Sequence, residues 1–116
     1  MPHLQLELSP NLLDVPAQTE LLQKLVALAS SFETVNSAAV KGYCRPSTAT
    51  IMGAGAPSGF AHVTFCLMTG RPADLRGHWA DAIFALMKEH LANLVDAGEC
   101  AVTVEIREMD GLTYRK

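Results

Sequence analysis

Aromatic residues are scarce in this chain: they make up 6% of its 116 residues, with one Trp and two Tyr. Basic charge is not in excess either, the formal net charge being -3. That argues against a nucleic-acid partner, which needs a basic surface, but leaves room for a small anion held by a few local cations. No apolar run approaches the roughly 20 residues that cross a bilayer, so no membrane span is expected. The N-terminus lacks a basic stretch followed by an apolar one, which excludes a secretory signal and makes the cytoplasm the expected location. The three cysteines, Cys44, Cys66 and Cys100, include no CxxC pair, so they form no recognisable zinc motif and read as small buried hydrophobes in a reducing compartment. GAGAPSG lacks the Gly-Lys-Ser/Thr ending of a phosphate-binding loop. His62, His78 and His90 are too widely spaced for a helical metal pair, and neither Ser30-Ser31 nor Cys66 sits in a nucleophile motif.

What is present is a patterned apolar half. Hydrophobic residues are 49% of the chain, enough for one packed domain spanning residues 1–116. Leu4, Leu6 and Leu8 alternate with His3, Gln5 and Glu7, which predicts a strand with one buried face. Leu22, Leu25, Val26 and Ala29 predict a helix from Pro16 to about Phe32. A second strand is expected over Ala38 to Arg45, ending before Pro46. The Gly-, Ala- and Ser-rich stretch Ser47 to Gly59 reads as a loop, with room for a short strand at Thr50 to Met52. A second cycle follows: a strand over Phe60 to Met68, a turn at Thr69 to Pro72, and a long helix. That helix has an apolar face of Trp79, Ile83, Leu86, Met87, Leu91 and Leu94, with Gly98 placed to end it. Val102, Val104 and Ile106 alternate with Thr103, Glu105 and Arg107 as the last strand.

Two βαβ units in sequence predict an α+β fold: a mixed four-stranded sheet with two helices on one face, because crossovers share one hand. The opposite face is then bare of helices. On so small a domain this is a reason to expect other subunits against it.

With the common motifs absent, Pro2 is the residue with distinctive chemistry. Loss of Met1 would make it an N-terminal secondary amine whose ring fixes its direction. A low-dielectric pocket and nearby cations would disfavour its protonated form and bring its pKa towards neutrality, where a general base works best. The strand that starts at His3 would hold it on a rigid element.

The opening PHLQLELS resembles the start of the 5-carboxymethyl-2-hydroxymuconate isomerases, members of the tautomerase superfamily. The stretch FAHVTFCLMTGR is similar to that family's third main strand and the Gly-Arg after it. ADAIFALMKEHLANLV is similar to its second helix, and AVTVEIREMD to its last strand. The likeness is strongest over residues 2–8 and 60–109 and loose between 10 and 58. It implies a tautomerase-type fold, a homotrimer with sites near subunit boundaries, and a small anionic enol or dienol as substrate. It implies no metal and no cofactor. Pro2 matches the catalytic base, and Arg71 matches the arginine that binds a substrate carboxylate. At the second strand the family's Ile-Arg-x-Arg is replaced by Val40-Lys41-Gly42-Tyr43. Lys41 keeps the charge but not the fork of a guanidinium; Tyr43 is neutral. Arg45, further along the same face, is placed to compensate, so Lys41, Tyr43 and Arg45 join Arg71 as candidate substrate-binding residues. The departure leaves open a different enol, such as that of phenylpyruvate, a dehalogenation or decarboxylation with the same proline, or a non-catalytic oligomeric role on the same fold.

Overall fold

The computed structural model describes residues 1–116. Strand β1 (His3–Leu8) follows the alternation: Leu4, Leu6 and Leu8 are buried, and His3, Gln5 and Glu7 project to the other side. Helix α1 (Val15–Ser30) begins where the Asp14 side chain accepts a hydrogen bond from the Ala17 amide at 2.9 Å, with Pro16 in the first turn. It ends at Ser30, two residues short of Phe32. Its buried stripe is Leu21, Leu25 and Ala29. Leu22 and Val26, expected on the same face, are partly buried at its margin, over Gly42.

The second strand begins later than its apolar residues predict. Residues 37–39 form a 3-10 turn, capped by the Asn36 side chain accepting from the Ala38 amide at 3.1 Å. Asn and Ser favour such local bonds over a sheet ladder. Strand β2 is therefore Lys41–Pro46. The loop after it contains no strand at Thr50 to Met52. Ser47 and Thr50 hydroxyls bond each other at 2.7 Å, and Ile51 is 97% exposed. Strand β3 (Phe60–Met68) leads to α2 (Ala73–His90), a break at Leu91, a short α3 (Ala92–Asp96) and β4 (Ala101–Met109). Gly98 terminates the helical segment as expected, at a φ of 73° that favours glycine.

The sheet order is β2-β1-β3-β4, with β1 parallel to β2, antiparallel to β3, and β3 parallel to β4. It is the mixed sheet that two βαβ units require. Leu4, Leu6, Leu8, Ala61, Val63, Phe65 and Leu67 form the sheet side of the core, against Leu21, Leu25, Trp79, Ile83 and Met87 from the helices. Phe32 stacks on Trp79 with centroids 5.0 Å apart, which sews the end of α1 to α2.

The opposite face carries no helix, and it is polar. Register places Gln5, Glu7, Tyr43, Arg45, His62, Thr64, Thr103, Glu105 and Arg107 on it. They bond one another: His62 Nδ1 with Thr103 Oγ1 at 2.7 Å, Arg107 to Glu105 at 2.9 Å, Arg45 to Gln5 at 3.3 Å. Cys66 and Cys100 are buried, Cys44 is half-buried, all three are free, and burial pushes their thiols up from the ordinary value. No helix is long and apolar enough to cross a membrane.

Gly42 sets how closely α1 lies on β2. A Cβ there would meet Val26 Cγ2 at 2.9 Å and Leu22 Cδ2 at 3.4 Å. Gly42→Ala is expected to cost about 1–3 kcal/mol through overpacking. A lower urea midpoint with an unchanged m-value would register it.

Candidate active site

The central strand β1 delivers Pro2 to one end of the sheet. The Pro2 carbonyl accepts the Lys41 amide at 3.2 Å, and His3 lies in register with Lys41 on one side and Cys66 on the other. Pro2 is thus tied to β2 by its own carbonyl, and the residue after it is paired on both sides. It opens on a cavity of 420 Å³ lined by Met1, Pro2, Thr34, Asn36, Ala39, Met68, Arg71 and Lys116. A larger hollow of 590 Å³ lies between α1 and α2, lined by Lys24, Ala27, Leu86, Glu89 and His90. It is a groove between exposed helix flanks and lies apart from the sheet end.

Arg71 reaches the cavity because β3 ends at Met68 and Gly70, at a φ of 121°, turns the chain before α2. Its guanidinium is held in place. Nε donates to Thr34 Oγ1 at 3.2 Å, Nη2 to the Thr34 carbonyl at 3.0 Å, and Nη1 to the Met68 carbonyl at 3.3 Å. The Trp79 ring lies beneath it, 5.9 Å from centroid to Cζ. Three of the five guanidinium donors are used in this way, which leaves two for a ligand. Thr34 has a φ of 67°, a conformation that a β-branched residue adopts only when its surroundings hold it. The three bonds between Arg71 and the Thr34–Met68 rim are that hold.

The electrostatics are one-sided. Arg71, Lys41 and Lys116 have no carboxylate within ion-pair distance, since the ion pairs of this fold involve other residues. Partial burial, then Lys116, Lys41 and Arg71 in that order, hold the Met1 amine below its ordinary value. Three unpaired cations around one amine make a place for an anion.

The expected site residues divide. Pro2 and Arg71 share the cavity. Lys41 is exposed at the start of β2, close enough for its charge to act on the N-terminus. Tyr43 and Arg45 do not line the cavity. Each two-residue step along a strand is about 6.7 Å, so they run away from it across the polar face. There Tyr43 stacks with His3 at 6.3 Å, and Arg45 lies over Tyr43 at 5.8 Å. Sequence reasoning missed Thr34, Asn36, Met68, Tyr114 and Lys116. The first three belong to turns and strand ends with no periodic signal. The last two lie in a C-terminal turn that likewise carries no periodic signal. Tyr114 Oη donates to the Met1 carbonyl at 3.3 Å.

This architecture is shared with known proteins. The chain aligns over 99% of its length with 87% of a 5-carboxymethyl-2-hydroxymuconate isomerase from Deinococcus radiodurans R1, at 25% identity and a TM-score of 0.87. A 5-carboxymethyl-2-hydroxymuconate delta-isomerase matches all of it over 87% of its own chain, at 19% identity and a TM-score of 0.81. A fused 4-OT symmetric trimer, at 21% identity, shares the fold over 93% of this chain and 85% of its own, with a TM-score of 0.72. No curated protein matches in sequence. The family model for 5-carboxymethyl-2-hydroxymuconate isomerase matches residues 2–116, from the proline at the cavity to the lysine that also lines it. The chain therefore belongs to the 5-carboxymethyl-2-hydroxymuconate isomerase family of the tautomerase superfamily.

Proposed function

We propose that the protein is a proton-transferring isomerase acting on a small anionic 2-hydroxy dienol, with the amine of Pro2, freed by loss of Met1, as its general base. The observation that carries this reading is the convergence of Pro2, Arg71 and Lys116 on one cavity, with Lys41 close enough for its charge to act on the N-terminus and none of the three cations held in an ion pair. The Pro2 nitrogen lies one residue inward from the Met1 amine. Once freed, it would face the same cations that hold the Met1 amine low, and they would disfavour its protonated form too.

The step is balanced without any added reagent. The Pro2 lone pair takes the hydroxyl proton, and the O–H electrons become the C=O π bond. The dienol electrons shift along the conjugated chain, and the ammonium returns the proton to a distant carbon. Arg71 presents two N–H donors to a carboxylate, and Lys41 adds charge beside it. A cation at the site favours the negative charge that develops as the proton leaves. The polar face and the edge strands β2 and β4 are the surfaces a homotrimer would cover.

An ultraviolet assay of enol disappearance tests the reading, with a 2-hydroxymuconate-type dienol and phenylpyruvate enol as substrates and protein shown by intact mass to lack Met1. Faster loss of the dienol than of the phenylpyruvate enol, with both above buffer, supports the dienol isomerase. Preference for phenylpyruvate keeps the tautomerase and changes the substrate. Loss of both at the buffer rate would sink the catalytic reading and leave the interaction protein.

A further inference from the structure

The C-terminal turn is built, not trailing. Asp110 starts it: its carbonyl accepts the Thr113 amide at 3.1 Å and the Tyr114 amide at 3.0 Å, and its carboxylate accepts the Leu112 amide at 2.9 Å. Gly111 lies against Met68, the residue at the cavity rim, where an added Cβ would meet Met68 Cε at 3.2 Å. The turn brings Tyr114 Oη to 3.3 Å from the Met1 carbonyl oxygen and Lys116 into the cavity wall. His3 Nδ1 reaches the same oxygen at 3.2 Å.

That oxygen has a useful position. In an amide it sits about 2.3 Å from the nitrogen of the next residue, here Pro2. It therefore marks the place beside the amine that a substrate oxygen takes once Met1 is gone. Two hydrogen-bond donors, Tyr114 Oη and His3 Nδ1, already converge on that place.

We propose that the turn Asp110–Lys116 completes the substrate site, with Tyr114 donating to the substrate's 2-oxygen as Pro2 takes its proton and Lys116 binding a carboxylate. The turn thereby supplies the second cation that β2 lacks, since Tyr43 is neutral and faces elsewhere. The inference rests on the proposed isomerase reading for its chemistry, but its anion site stands on geometry alone.

The experiment uses Met1-free protein carrying Tyr114→Phe, Lys116→Gln or Lys116→Arg, each shown by thermal melting to be as stable as the parent. Dienol kinetics are measured alongside calorimetric titration with 2-oxoglutarate as a dicarboxylate probe. Tyr114→Phe is expected to lower kcat roughly 10- to 100-fold with little change in KM, the size of one lost donor to developing charge. Lys116→Gln is expected to raise KM and weaken the probe by roughly 10- to 100-fold, and Lys116→Arg to restore both to within about 3-fold. Variants within about 2-fold of an active parent would overturn the assignment. If the parent leaves the dienol untouched, the isomerase reading falls and the titration decides the turn's role: probe binding lost in Lys116→Gln upholds the anion site, and equal or absent binding overturns it.

Discussion

Pro2→Ala in Met1-free protein is expected to lower kcat for dienol ketonisation by about 10²- to 10⁴-fold, the usual worth of a positioned general base. The variant keeps an N-terminal amine, so the loss measures position and basicity and not merely the presence of nitrogen. Alanine's primary amine rotates about a free φ, whereas the pyrrolidine ring locks proline's direction. Retained Met1 should be as damaging, because an amide nitrogen has no lone pair to give. The pH profile supplies an independent check. The amine works unprotonated, so kcat/KM rises with pH as the proton leaves it. The burial and the cations that hold the Met1 amine low would bear on a Pro2 amine in the same direction, placing that rising limb at lower pH than for a free prolyl amine. Removing a cation, as in Lys116→Gln or Lys41→Gln, relaxes the repulsion and moves the limb towards higher pH. A limb that stays put in both variants would disconnect those charges from the base.

Arg71→Ala is expected to cost about 10²- to 10³-fold in kcat/KM, with most of it in KM. The guanidinium bridges two parts of the site. It holds Thr34 in its left-handed conformation and keeps two N–H donors for the ligand. Alanine loses both functions. Arg71→Lys retains the charge but not the fork, and a single ammonium cannot hold the Thr34 carbonyl, the Thr34 hydroxyl, the Met68 carbonyl and a carboxylate together. Its kcat/KM should fall by about 10- to 100-fold even so. A lysine variant with wild-type kinetics would show that charge alone suffices there.

Much of the fold was legible because its strands and helices have strong periods. Leu4-Leu6-Leu8 and Val102-Val104-Ile106 alternate cleanly, and the α2 face from Trp79 to Met87 repeats at helical spacing. Both kinds of element were found within a few residues of their ends, except that the second helix, expected to run unbroken towards Gly98, breaks at Leu91. The errors fell where local polar bonds compete with the pattern: at Ser37–Ala39, where Asn36 caps a turn, and at Thr50–Met52, where Ser47 and Thr50 bond each other. The site was legible in part. Pro2 was found by its chemistry and Arg71 by its position in a familiar order of elements. Tyr43 and Arg45 were placed beside them because sequence spacing along a strand does not say how far the cavity extends.

The sequence alone determined the two βαβ units, the apolar side of each element, the absence of a basic surface, and the one residue whose backbone nitrogen could become a base. Tertiary structure decided the rest of the site. The ends of β1 and β3, the Thr34 turn and the C-terminal turn are separated by many residues and carry no shared period. Only the pairing of β1 between β2 and β3, with the tail folded back over Met68, brings Pro2, Thr34, Arg71, Tyr114 and Lys116 to one end of the sheet. Such a cluster depends on non-local contacts, which a one-dimensional pattern does not encode.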